Sequence, residues 1–135
     1  MAAATPEIAV VAKLKATAAI ATATGSRVFA QLDTQEAALP AIIVTKIGSE
    51  GGKRLSGAAH SLRANAMRVD CYAETELAAG ALGKLVRDAL CPDGTPWTDS
   101  ANGVQGCFFV DSVGEVTEDG LRFQSETFQL WHSQT

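Results

Sequence analysis

Arg63-Ala64-Asn65-Ala66-Met67-Arg68-Val69-Asp70-Cys71-Tyr72-Ala73 alternates in character and is followed, from Thr75, by a helical pattern that runs to Leu90. Met67, Val69 and Cys71 share one parity and Arg68, Asp70 and Tyr72 the other, the period of two expected of a half-buried strand. The period then changes. Leu77, Ala78, Ala81, Leu82, Leu85, Val86, Ala89 and Leu90 recur at three- and four-residue steps, which predicts a helix with a wide apolar stripe and with Glu76, Lys84, Arg87 and Asp88 outside it. Thr75 can cap its start, and Cys91-Pro92-Asp93-Gly94 stops it. A strand with one apolar face must be covered, so this stretch alone points to helices packed on a sheet.

On the N-terminal side, Thr5-Pro6-Glu7 combines a hydroxyl cap, a proline where its missing N–H costs nothing, and an acid at the positive end of the dipole. The helix it starts is expected to reach about Gly25, with Val10, Val11, Leu14, Ala18 and Ala21 as its inner stripe; Thr17, Thr22 and Thr24 weaken the second half. Val28 and Phe29 read as a short buried anchor, and Asp33 to Glu36 as a polar connector. Pro40 then opens a β-branched strand, Ala41 to Ile47, bounded by Gly48. Residues 48–61 hold Gly48, Gly51, Gly52 and Gly57 among serines, with Lys53, Arg54 and His60; they bury little and read as a long mobile hairpin loop.

On the C-terminal side, a polar turn carries Pro96 and Trp97, and Val104 to Val113 forms a strand with Phe108, Phe109 and Val110. Asp119-Gly120 marks a hairpin into a last strand from Leu121. Phe123 and Phe128 fall on opposite parities there, which implies either a bulge or burial on both faces around Ser125. Phe128, Leu130 and Trp131 make that stretch a docked strand with core side chains rather than a fraying tail. The expected architecture is one α+β domain over residues 1–135: a mostly antiparallel four-stranded sheet packed against two main helices, with a long flexible hairpin loop at about 48–61.

Composition narrows the function classes. The 135 residues can form a core that hides roughly 65–70% of the unfolded surface. With 47% hydrophobic and 19% charged residues the chain is too apolar for intrinsic disorder. A net charge of −4 argues against a domain that grips nucleic acid by its phosphates. No stretch approaches the roughly 20 apolar residues needed to span a bilayer, and the first residues lack the basic segment of a secretion signal. Cys71, Cys91 and Cys107 have no CxxC spacing and read as reduced, packed thiols made in a cytoplasm.

Chemistry finds little support. Cys71, Asp70 and His60 contain the residue types of a nucleophile, an acid and a base, but Cys71 and Asp70 point to opposite faces of a strand and His60 sits in the loop. His132 has no second ligand at metal-binding spacing, and Gly51-Gly52-Lys53-Arg54 lacks the spacing and following helix of a phosphate loop. The expectation is no catalytic residue, no metal and no cofactor. Lys46, Lys53, Arg54, Arg63 and Arg68 make a basic stretch that either faces a partner or is solvated. Trp97 is either a partner anchor or a plug over the end of a helix.

Several segments in order resemble a known family. Leu39-Pro40-Ala41-Ile42-Ile43-Val44, then Arg68-Val69-Asp70-Cys71-Tyr72-Ala73 leading to a helix that ends Val86-Arg87-Asp88-Ala89-Leu90, then Asp119-Gly120-Leu121-Arg122 and Leu130-Trp131-His132, are similar to the tail completion or tail terminator proteins of long-tailed bacteriophages and phage-like gene transfer particles. The resemblance covers nearly the whole chain. It implies a structural virion protein, assembled in the bacterial host cytoplasm, that forms a ring, typically a hexamer, on the head-proximal end of the tail tube. Its implied partners are copies of itself, the major tail tube protein and a head–tail connector, with DNA passing through unrecognised and no membrane involved. Lys53, Arg54, His60, Arg63 and Trp97 are the candidate interface residues. A neck or head-completion adaptor nearer the portal is the alternative reading, and a small cytoplasmic enzyme the remote one.

Overall fold

The computed structural model describes residues 5–25, 27–30, 40–51, 62–92, 95–99, 103–116 and 122–133. In chain order the elements are α1 (Pro6–Ala16), α2 (Ala18–Thr24), β1 (Val28–Ala30), β2 (Ala41–Gly51), β3 (Leu62–Ala73), α3 (Glu76–Leu90), β4 (Val104–Val116) and β5 (Arg122–Ser133). The strands form one sheet in the order β1-β2-β3-β5-β4. The α+β class holds, and every neighbouring pair is antiparallel except β1 with β2.

The sheet therefore has five strands where four were expected. The added one is the Val28-Phe29 anchor, which lies parallel to β2 with Val28, Phe29 and Ala30 opposite Ile42, Ile43 and Val44. Three residues are too few to show a period, so the sequence could not mark it as a strand. Arg27 secures it: its carbonyl accepts from Ile42 N–H at 2.9 Å and its Nε donates to the Pro40 carbonyl at 3.0 Å.

The expected single N-terminal helix is two. Thr17 adopts an extended backbone, φ −83° and ψ 113°, and its hydroxyl donates to the Lys13 carbonyl at 2.9 Å. That side-chain bond competes with the helical ladder and closes α1. The break re-aims the second half, so that Ile20 and Thr24 are buried while Ala18, expected inside, is exposed. α2 ends at Gly25, whose left-handed φ of 61° suits a residue without a side chain.

One face of the sheet carries the core. Leu14 of α1, Ile20 of α2 and Leu82, Val86 and Leu90 of α3 pack on Ile42, Val44, Val69, Phe128 and Leu130. Each such side chain contributes about 1.5–3 kcal/mol when fully buried. β3 lies at the centre of the sheet with the alternation read from its sequence, and it pairs with β5 without interruption from Arg122 to Ser133. The parity change in β5 is therefore burial on two faces: Phe128 enters the core, while Phe123 stacks on Tyr72 of the other face with centroids 4.9 Å apart. The bulges are elsewhere. Ile47 is left over between β2 and β3, and Gln105 and Val110 between β4 and β5.

The expected loop at 48–61 is shorter at its start, because β2 continues to Gly51, which pairs with Arg63. Residues 52–61 lie outside the described residues, as does the Asp119-Gly120 turn. α3 starts as read, with the Thr75 hydroxyl accepting from Ala78 N–H at 3.1 Å. Its stripe is narrower than read: Ala79, Leu82, Gly83, Val86 and Leu90 are buried, while Leu77 is 88% exposed. Gly83 sets the depth of the helix, since a Cβ there would lie 2.8 Å from Gln124 Cγ and 2.9 Å from Glu126 Oε2.

Gly80, one turn earlier, has open space where its Cβ would be. Gly80→Ala is therefore expected to raise unfolding free energy by about 0.5–1 kcal/mol through helix propensity. Gly83→Ala, with the same propensity gain, is expected to lower it, and urea denaturation of the two variants side by side checks the contrast.

Candidate functional site

The deepest polar group is a carboxylate under α3. Glu126 on β5 has no exposed surface, and its Oε2 accepts from the Ser112 hydroxyl of β4 and, at 2.9 Å, from Gln124 Nε2. Gln124 Nε2 also donates to Ser112 Oγ at 2.7 Å. Arg87 reaches in from α3, its Nε 2.9 Å from Glu126 Oε1 but out of line for a hydrogen bond, so that attraction is Coulombic. The same guanidinium lies 5.7 Å from the Phe109 ring centroid. Arg87 was expected outside the stripe, and Glu126, Gln124 and Ser112 went unremarked in sequence, because the pattern of each element is silent on a bond between elements.

This cluster ties α3, β4 and β5 together. An open groove of about 610 Å³ runs beside it along α3, lined by Glu76, Leu77, Gly80, Ala81, Lys84, Arg87 and Gln124, without a serine, cysteine or histidine. Cys71 is buried, and its thiol is pushed well above the usual range by burial first, then by the Glu126 and Asp70 carboxylates. A nucleophile needs the opposite shift. Asp70 sits on the other face, 3.2 Å from Arg68 Nε. Cys107 is likewise pushed up, to about 12, mainly by burial and then by Cys91. His132 is buried between the backbones of Arg63 and Val104, and no cluster of three or more metal-ligand residues occurs among the described residues. No helix among them is long and apolar enough to cross a membrane.

Of the five candidate interface residues, Lys53, Arg54 and His60 lie outside the described residues. Arg63 belongs to β3, with its backbone opposite Gly51 on one side and His132 on the other. Trp97 is half-buried against the core, its N–H donates to the Leu90 carbonyl at 3.0 Å, and Lys13 Nζ lies 5.9 Å from its ring centroid. It closes the C-terminal end of α3 while keeping part of its surface outside. The described large apolar side chains left exposed are Ile8, Ile47, Leu77, Phe108, Phe109, Val110 and Val113, more than half of them on β4.

An α+β domain with apolar side chains left exposed on an outer strand has a feature common in assembly subunits. The family model described as "Tail completion protein gp17" matches residues 8–131, and the chain belongs to that family. It is a structural tail completion protein of a phage or gene transfer agent virion. Among solved structures, a chain of the "Virion of native gene transfer agent (GTA) particle" shares its fold, with a TM-score of 0.68 and 18% identity over 92% of this chain and 91% of that one. No curated protein matches the sequence.

Two outcomes follow from the buried groups. Arg87→Met leaves a fully buried carboxylate with only neutral partners; because the Arg87 side chain is 37% exposed, the expected loss is about 1–3 kcal/mol rather than the full cost of breaking a buried pair. Adding Glu126→Gln should recover part of it in urea denaturation. For the thiols, Cys107 keeps its proton in the folded state up to about pH 12, whereas the unfolded thiol releases its own near the ordinary value of 9.0. Its contribution is complete below about pH 9 and fades as pH rises toward 12. Brief alkylation at pH 8 is expected to mark Cys91 ahead of Cys71 and Cys107, which react only after denaturation, as peptide mass spectrometry would show.

Proposed function

We propose that this tail completion protein closes with copies of itself into a ring, a hexamer in the simplest case, on the head-proximal end of the tail tube. The ring stops tube polymerisation and presents the surface to which the head-side connector binds. The observation that carries this reading is the family match across residues 8–131, almost the whole domain. The fold shared with a chain of a gene transfer agent virion, over most of both chains, supports a place within such a particle.

The physical logic is that of a cap. A growing tube always exposes an end that accepts another subunit; a terminator matches that end on one side and offers no equivalent on the other. Ring closure requires two different patches per copy, related by a rotation that closes. Lys53, Arg54, His60 and Arg63, carried by or next to the connection between β2 and β3, are the side chains we assign to the tube or a neighbouring copy, and the outer part of Trp97 is a second anchor. The chain's charge of −4 fits a passage for DNA that does not hold its phosphates.

Tails purified from particles lacking heads are expected to keep the protein at one end, at about six copies each for a ring of this kind. Finding it on heads and not on such tails would favour the neck adaptor instead. A strain without the protein should make tubes of uncontrolled length that do not join heads. Complementation with Lys53→Glu/Arg54→Glu should leave the melting temperature of the free protein unchanged and reduce head–tail joining at least about tenfold, the effect of losing ~1.4 kcal/mol of binding. Full joining by that variant would remove the two cations from the interface.

A further inference from the structure

We infer that β4 is the strand by which one copy of this chain extends the sheet of the next, its free edge pairing with the outer edge of β2 around Ile47 in the neighbouring copy; this rests on the ring reading above. β4 ends the sheet order and runs for 13 residues. Phe108, Phe109, Val110 and Val113 are 41–59% exposed along it. They do not share one face. Phe109 meets Phe128 edge-on at 5.7 Å on the helix side, its register partner across the ladder. Phe108 and Val113 lie on the other side, and Val110 is a bulged residue.

A partner lying flat on either face would leave half of these side chains wet. A strand added to the edge covers both halves at once and pairs the N–H and C=O groups beyond Val104, whose own are taken by Asp99 at 2.8 and 2.9 Å. Soluble edges are normally guarded by lysine or proline. Val104–Val116 contains neither, nor an arginine; its charges are the acids Asp111 and Glu115, and it carries two bulges.

The occupant that fits is a second copy. β1 covers only Ile42–Val44 of β2, so among the described residues β2 has no strand beside Thr45–Gly51 on that side. That length presents Ile47, 51% exposed and itself a bulge residue, beside the exposed cation of Lys46. β4 presents Val110 beside the exposed acid of Asp111. Aliphatic meets aliphatic and opposite charges meet. Pairing β4 with its own counterpart would instead set acids against acids. Because the two edges differ, each copy gives one and accepts the other, the arrangement a closed ring needs.

The test uses assembled particles containing the full chain with Ile47→Cys and Val110→Cys together, treated with a short bis-maleimide, with the native chain treated alike as background. A ladder of covalent multimers from the double variant, and none from either single variant, is the expected result. A covalent dimer from Val110→Cys alone, products joined to another virion protein, or no ladder from particles that contain the chain would each overturn the pairing while leaving the ring reading intact. Absence of the native chain from particles would instead sink the ring reading. As a second measurement, Val110→Asp should melt within a few degrees of the native chain and enter particles at least about tenfold less; entry at the native level overturns the inference.

Discussion

A carboxylate without solvent must have partners, and Glu126 is where that rule shapes this molecule most. Its oxygens require a hydroxyl from β4, an amide from β5 itself and a guanidinium from α3. To bring the guanidinium within reach the helix must sit low on the sheet, and Gly83 leaves the room for it. Three elements distant in sequence are thus fixed in position by one charge. The directional bonds from Ser112 and Gln124 fix β4 against β5, while Arg87 adds a Coulombic attraction that draws α3 toward the same carboxylate.

That rigidity matters for a protein that acts by shape. Assembly into a particle depends on matched surfaces, and surface matching is degraded by any slack in the elements that carry it. The helices and polar cluster lie on one side of the sheet and hold it as a platform. Among the described residues the platform ends at β4 on one side and at β1 and the distal part of β2 on the other.

The periodic parts of this structure were legible from sequence because each is a local statement. The alternation of Met67, Val69 and Cys71, the Thr75 cap and the Leu82, Val86, Leu90 ridge appear in the structure as read. What was not legible depends on meetings between segments. β1 is a strand only because Ile42–Val44 lies beside it, and α1 ends because one hydroxyl, that of Thr17, chose the Lys13 carbonyl. Leu77 matched the stripe yet faces outward, since among the described residues none covers the first turn of α3. The residues singled out for docking fared according to place: Trp97 is seen plugging a helix end and partly open, Arg63 is placed in β3 by its backbone, and Lys53, Arg54 and His60 fall outside the described residues.

The thiols carry a consequence for the life of the particle. In air-saturated surroundings an accessible thiolate on a virion component would be oxidised or would cross-link copies at random. Cys71 and Cys107 are sealed in the core and held as neutral thiols, the form least open to that chemistry. The fold thereby shields two of its three thiols and leaves the half-buried Cys91 as the one open to that chemistry.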